Sequence, residues 1–220
     1  MGAFKPFSVE ALKKRRDMAS GTLWASHITE GIYLGRGQDA QNLEKLKEHG
    51  ITHILNVADD VPNYYENEKE INGRSNLFNY CCLNVADFGA EIGGIGKYFK
   101  QASDFVKESG ASLKLLDEQN QVVDEENDCE INETNYASSP RLLIHCANGS
   151  NRSCTITIAV LMILRNLSLM HSYNYVKKRR KSYVPLRDNR EELINFEQKI
   201  YPDSNTMGIV APTMNHGDFK

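Results

Sequence analysis

The chain has 220 residues, of which 40% are hydrophobic and 25% charged, with a formal net charge of -3. That composition suits a soluble globular protein with one sizeable core plus tails or an insertion. It excludes a membrane-spanning helix, because no window approaches the about eighteen unbroken apolar residues one needs.

The N-terminus has no apolar signal-peptide core. Met1-Gly2 opens like an acylation signal, but Pro6 stands where that signal needs Ser or Thr. The five cysteines (Cys81, Cys82, Cys129, Cys146, Cys154) form no C-x-x-C pair. An odd count without such pairs argues against a disulfide framework or a zinc site, so no metal or cofactor is expected. It fits a reducing compartment, cytoplasmic or nuclear. Residues 117–139 carry eight acidic residues and no Lys or Arg, which leaves 26 basic against 21 acidic residues elsewhere. The remainder is mildly basic, which suits a phosphorylated partner.

In chain order, residues 8–18 read as a short helix opened by Ser8, with a solvated Lys13-Lys14-Arg15-Arg16 run. WASHI (24–28) and IYLG (32–35) are two strand-like pieces split by Thr29-Glu30-Gly31. Residues 39–49 predict one helix closed by Gly50. ITHILNV (51–57) is a buried strand, and LFNYCCLNV (77–85) a third central strand. The latter ends in Ala86-Asp87 and a segment studded with Gly89, Gly93, Gly94 and Gly96. Residues 95–108 predict a helix with Ile95, Phe99, Ala102 and Val106 inward, ended by Gly110.

Residues 110–139 are expected to be an acidic surface insertion without fixed structure. Leu142-Leu143-Ile144 is a short strand, and a long apolar helix follows Arg152. Residues 169–181 predict a helix capped by Ser168, with Leu169, Tyr173 and Val176 inward and Lys177–Lys181 outward. Asp188 with Glu191 suggests a capping box for a last helix to Ile200. The expected organisation is an N-terminal helical extension (1–20), a catalytic domain (21–202) containing the insertion, and a loose tail (203–220). Strands alternating with helices argue an α/β fold: a central, mainly parallel sheet of about five strands flanked by helices. Ligands bind outside the carboxyl ends of such strands.

The stretch RLLIHCANGSNRSCTITIAVLMILR (141–165) combines a strand, a thiol, a tight loop, a guanidinium and a helix. A phosphate monoester is a dianion that needs donors on several sides and an in-line nucleophile. The backbone of Ala147, Asn148, Gly149, Ser150 and Asn151 can turn its N–H groups inward, and the helix points its positive end at the same spot. Arg152 adds a planar fork matching two phosphate oxygens. The same electropositive setting favours an anionic Cys146 sulfur as nucleophile. Ser153 is placed to hydrogen-bond that sulfur and help it leave. His145 is expected to stabilise the loop through hydrogen bonds rather than transfer protons. The leaving alkoxide needs a general acid. LNVAD occurs twice, at Leu55–Asp59 and Leu83–Asp87, so Asp87 and its rivals Asp59 and Asp60 all stand as candidates.

HCANGSNRS (145–153) resembles the His-Cys-x5-Arg-Ser/Thr signature of the protein tyrosine phosphatase superfamily. IYLG, ITHILNV, the Asp87 segment, KYFKQASDFV, LSLMHSYNYVKKRR and NFE (195–197) follow in the order of the dual-specificity phosphatases. This resemblance implies Cys146 as nucleophile, Arg152 as phosphate clamp, Asp87 rather than Asp59 or Asp60 as general acid, and Ser153 as the sulfur's partner. It implies hydrolysis of phosphotyrosine and phosphoserine or phosphothreonine in proteins through a phosphocysteine intermediate. Asn148, Ser150-Asn151, Cys154 and Leu186 depart from the family's usual residues. Leu186 argues against MAP kinases as the substrate.

Alternatives are the same chemistry on a phosphoinositide or an RNA 5′-triphosphate, or phosphoprotein capture without turnover. No lysine lies within 147–151, which disfavours the lipid. Nucleic acid enters only as an alternative substrate, no membrane partner is expected, and the sequence leaves the oligomeric state open. Cys81 and Cys82 read as strand residues, with a protective disulfide to Cys146 as a minor alternative. Cys154 reads as a packing residue.

Overall fold

The computed structural model describes residues 24–69, 76–86, 94–117, 119–123, 139–180 and 187–202. The N-terminal extension, the tail, the basic run at 13–16, Cys129 and Leu186 lie outside them.

Five strands form one sheet: β1 (Ser26–Thr29), β2 (Ile32–Arg36), β3 (Ile51–Ala58), β4 (Asn79–Val85) and β5 (Arg141–Cys146), in the order β1-β2-β5-β3-β4. β2, β3 and β4 run parallel to their neighbours around β5, and only β1 pairs antiparallel with β2. The expected mainly parallel α/β sheet is therefore present. One expectation is corrected: 77–85 is an edge strand, not a central one. The central strand is β5, whose side chains are buried on both faces from Leu142 to Cys146, as parallel strands covered by helices require.

The predicted helix over 39–49 is instead two short ones, α1 (Gly37–Ala40) and α2 (Leu43–Glu48). Asp39 folds back onto the Arg36 N–H at 2.8 Å to open the first. Asn42 accepts from the Lys45 N–H at 3.0 Å and opens the second. Gly50 follows at φ +64, in the left-handed region. A 3₁₀ turn (Ile95–Tyr98) leads into α3 (Phe99–Ser109), with Ile95, Phe99, Ala102 and Val106 buried as expected.

α4 (Arg152–Leu164) is buried almost all round because α3 and α5 (Leu169–Arg179) flank it, and it also touches α6 (Arg187–Ile200). These helices cover one sheet face and enclose the larger core, including Leu142, Ile144, Val57, Phe99, Ile156 and Val160. The other face carries a smaller aromatic cluster around Trp24, Tyr33, Ile54, Phe78 and Leu143. Ser168 caps α5 by accepting from the His171 N–H at 3.3 Å. Asp188 lies inside the first turn of α6, so it favours the helix dipole rather than serving as its cap.

The start of the expected insertion is ordered. The Gly31 N–H donates to Ser112 O at 2.8 Å, Glu30 N–H to Lys114 O at 3.0 Å, and Leu115 bridges Thr29 in antiparallel fashion. The Tyr175 hydroxyl accepts from the Leu116 N–H at 2.9 Å and donates to Ile28 O at 2.5 Å. Leu116 is buried by these contacts. Residues 124–138 lie outside the description. Among the described residues no helix is long and apolar enough to cross a membrane.

Candidate active site

Parallel strands bring their carboxyl ends to one rim. β5 ends there at Cys146, β3 runs out into Asp59-Asp60, and β4 runs out at Val85-Ala86. The loop 147–151 turns back over the end of β5 and feeds α4, whose N-terminus thus faces the Cys146 sulfur.

The turn depends on Gly149. Its φ is +60, and its N–H donates to the Cys146 Sγ at 3.2 Å. A Cβ at this position would stand 2.4 Å from Gly35 O and 2.6 Å from Arg180 Nη2. Glycine is needed for the backbone angle and again for the space. Ser153 Oγ lies 3.1 Å from the sulfur. One backbone donor and one hydroxyl therefore already converge on the thiol, which is buried at 2% exposure. The loop is pinned from outside as well. Ala147 O accepts from the Gly37 N–H at 3.3 Å, and Asn151 Oδ1 accepts from Asn189 Nδ2 of α6 at 2.9 Å. Asn148 is exposed and Ala147, Ser150 and Asn151 are half-buried, so they form the rim.

Arg152 is buried, and its Nη1 donates to Val85 O at 2.8 Å. Nη1 also lies 3.3 Å from Asp59 Oδ1, and Nη2 lies 2.8 Å from Asp60 Oδ1. The structure thus unites Cys146, the 147–151 loop, Arg152, Ser153, Asp59 and Asp60. Asp87 lies outside the described residues. Its neighbour two residues back, Val85, gives its carbonyl to Arg152.

Sequence reasoning missed Arg180. It was expected to face solvent with its basic neighbours, yet it is 2% exposed. Its Nε donates to Gly149 O at 2.9 Å, and its Nη1 to Leu34 O and to Ser26 Oγ, both at 3.2 Å. It fastens the loop to β1 and β2 from beneath. Arg179 also turns inward, donating to Asp117 O at 2.8 Å and to Leu116 O. The one signal available was position: helical spacing puts Arg180 four residues beyond the buried Val176.

His145 is 1% exposed, and burial pushes its pKa down to about 3, so the ring is neutral. The expected loop bonds are not all made: its Nδ1 has no hydrogen-bond partner among the described residues. Cys154 is fully buried, its sulfur 3.5 Å from Gly149 O, and burial pushes its thiol pKa up, away from reactivity. Cys81 and Cys82 are half-buried on β4. Cys82 aligns with Asn56, which aligns with His145 two strands over. Two strand spacings are about 10 Å, beyond the roughly 7 Å a disulfide allows between Cα atoms without backbone movement. The protective disulfide to Cys146 is not compatible with this sheet. Among the described residues, no group of three or more His, Cys, Asp or Glu side chains gathers closely enough to hold a metal ion.

A family model described as the dual specificity phosphatase catalytic domain matches residues 129–199. Human dual specificity protein phosphatase 7 is 28% identical over 185 residues, covering 84% of this chain and 34% of that protein. Human dual specificity protein phosphatase 14 is 28% identical over 191 residues, covering 85% of this chain and 76% of that protein. The crystal structure of human DUSP28 shares the fold at a TM-score of 0.58 and 19% identity, covering 80% of this chain and 94% of that one. The chain spans about a third of the length of its phosphatase 7 relative. The chain thus combines a Cys-x5-Arg loop with similarity to the dual specificity phosphatase catalytic domain over residues 129–199 and with the fold of human DUSP28.

Proposed function

We propose that this protein is a cysteine-dependent phosphatase that hydrolyses phosphotyrosine and phosphoserine or phosphothreonine in proteins. The observation that carries the reading is the convergence of the Gly149 N–H, Ser153 Oγ and the α4 N-terminus on one buried thiol, with a buried guanidinium beside it. Cys146 attacks phosphorus in line with the departing oxygen. The S–P bond forms as the P–O bond to the substrate breaks, and Asp87 delivers the proton to the leaving oxygen. Arg152 and the N–H groups of 147–152 hold the equatorial oxygens, where charge concentrates. Water then attacks phosphorus, Asp87 takes a proton from it, and the S–P bond breaks with Ser153 stabilising the departing sulfur.

The half-buried, half-exposed rim of Asn148, Ser150 and Asn151 fits a shallow mouth open to phosphoprotein side chains. A cytoplasmic or nuclear setting suits a working free thiol. The test is hydrolysis of an aryl phosphate, a phosphotyrosine peptide, a phosphothreonine peptide, a phosphoinositide and an RNA 5′-triphosphate, with Cys146→Ser as the blank. Turnover on the peptides that vanishes in Cys146→Ser is expected. Unchanged turnover in that variant refutes the chemistry, and activity confined to lipid or RNA refutes the protein substrate.

A further inference from the structure

The phosphate-binding arginine already has anionic neighbours of its own. Asp59 and Asp60 stand 3.3 and 2.8 Å from the two terminal nitrogens of Arg152. The Arg152 side chain is only 3% exposed, whereas the two carboxylates are 44% and 51% exposed. They therefore sit on the solvent side of the guanidinium, where a phosphate reaches it.

The segment that presents them is built and held. Asn56, fully buried on β3, donates through Nδ2 to Val61 O at 2.7 Å and to Asn63 Oδ1 at 2.9 Å. Its Oδ1 accepts from the Ala58 N–H at 3.1 Å. The Asp59 N–H donates to Val85 O at 3.2 Å. Val61 closes against Gly37, where an added Cβ would come within 2.9 Å of Val61 Cγ1. Ordinary loop wandering does not carry the two carboxylates away from the mouth.

A phosphate dianion engaging Arg152 displaces those carboxylates as its partners and then faces them. Two like-charged groups at a partly desolvated mouth disfavour binding unless a cation accompanies the phosphate. We infer that Asp59 and Asp60 are specificity-determining residues, selecting phosphopeptides with a lysine or arginine beside the phosphorylated residue. The inference rests on the protein-phosphatase reading above. A basic neighbour takes up the released carboxylates, whereas an acidic neighbour adds a further repulsion.

The experiment compares kcat/KM on matched phosphotyrosine peptides whose flanking residues are Arg, Ala or Glu, at low and high salt. It uses the wild-type protein, Asp60→Asn, and the Asp59→Asn/Asp60→Asn double variant, with inorganic phosphate as competitive inhibitor. Wild type should prefer Arg over Glu flanks by about tenfold at low salt, and the ratio should shrink with added salt. The double variant should lose most of that ratio and bind inorganic phosphate several-fold more tightly. Asp60→Asn, which changes one half-exposed oxygen, should show half the effect if the double variant folds poorly. A flat ranking on active peptides, or an unchanged ranking in both variants, overturns the inference alone. Turnover of aryl phosphate with none on any peptide overturns the protein-substrate reading with it.

Discussion

Removing the Arg180 guanidinium tests whether the loop's shape is set from beneath. In Arg180→Met the aliphatic stem is kept and the fork is lost. Gly149 O and Leu34 O, both buried, lose a charged donor at 2.9 and 3.2 Å, and Ser26 Oγ loses one at 3.2 Å. The serine can rotate to another partner, but Leu34 O cannot, and Gly149 O keeps only the weak Cys154 thiol donor at 3.5 Å. Stranding a buried acceptor costs about 1–3 kcal/mol, and bonds to charged donors lie at the upper end. Two carbonyls with partial relaxation give about 4 kcal/mol. For a domain of this size each kcal/mol moves Tm by roughly 2–4 °C, so calorimetry should show a fall of about 8–16 °C. Because one of the carbonyls belongs to Gly149, whose N–H reaches the Cys146 sulfur, kcat on an aryl phosphate should also fall, at temperatures well below the new Tm. Arg180→Lys, with one nitrogen, should recover part of both. A Tm within about 3 °C of wild type and an unchanged kcat for Arg180→Met refute the reasoning.

Gly149→Ala should abolish turnover, since it meets Gly35 O at 2.4 Å and adopts φ +60 at a cost of about 1–2 kcal/mol; measurable oxyanion binding by calorimetry in that variant would contradict the cradle geometry. Asp87→Ala should lower kcat by about 10²–10⁴ and remove the alkaline fall of the kcat profile, and the same behaviour in Asp59→Ala or Asp60→Ala instead would transfer the acid role. His145 is held neutral down to about pH 3 in the fold but protonates near its ordinary value of 6.5 when unfolded. The unfolded chain thus binds the extra proton between those values, so stability is intact above pH 6.5 and falls by up to about 1.4 kcal/mol per pH unit below it. Burial also lowers the pKa of His27, His49 and His53, which add to this slope. Urea unfolding from pH 4.5 to 7 should show a shallower slope in His145→Asn, and an identical slope would refute the assignment.

The loop itself was legible because its parts are contiguous: thiol, glycine, arginine, serine and helix lie within eight residues. The sheet was legible for a related reason, since the strands lie in short runs rich in apolar residues, β-branched in β3, separated by polar or glycine-containing segments. What escaped reading was carried by distant pairs. Arg180 lies 31 residues from Gly149 and sits in a run of five basic residues, so composition disguised it. The two LNVAD copies lie on neighbouring strands, but a register shift pairs Ala58 with Val85, and Asp59 and Asp60 meet Arg152 from the end of β3. No local pattern encodes such a shift. The split of 39–49 into two helices turned on Asp39 and Asn42, whose side chains bond their own backbone in preference to continuing one helix.

The pairing of residues 112–115 along β1 has a consequence for the molecule as a solute. A sheet presents two flanks, and each bare flank is a template on which another chain can add a strand. Here the molecule's own chain takes the Thr29 end of β1 and the turn after it, while the Arg179 and Tyr175 side chains take the His27 and Ile28 carbonyls. Fibre growth by strand addition needs a donor flank and an acceptor flank on every copy. With the β1 flank taken, β4 is the sheet edge that the described residues leave for another strand to meet.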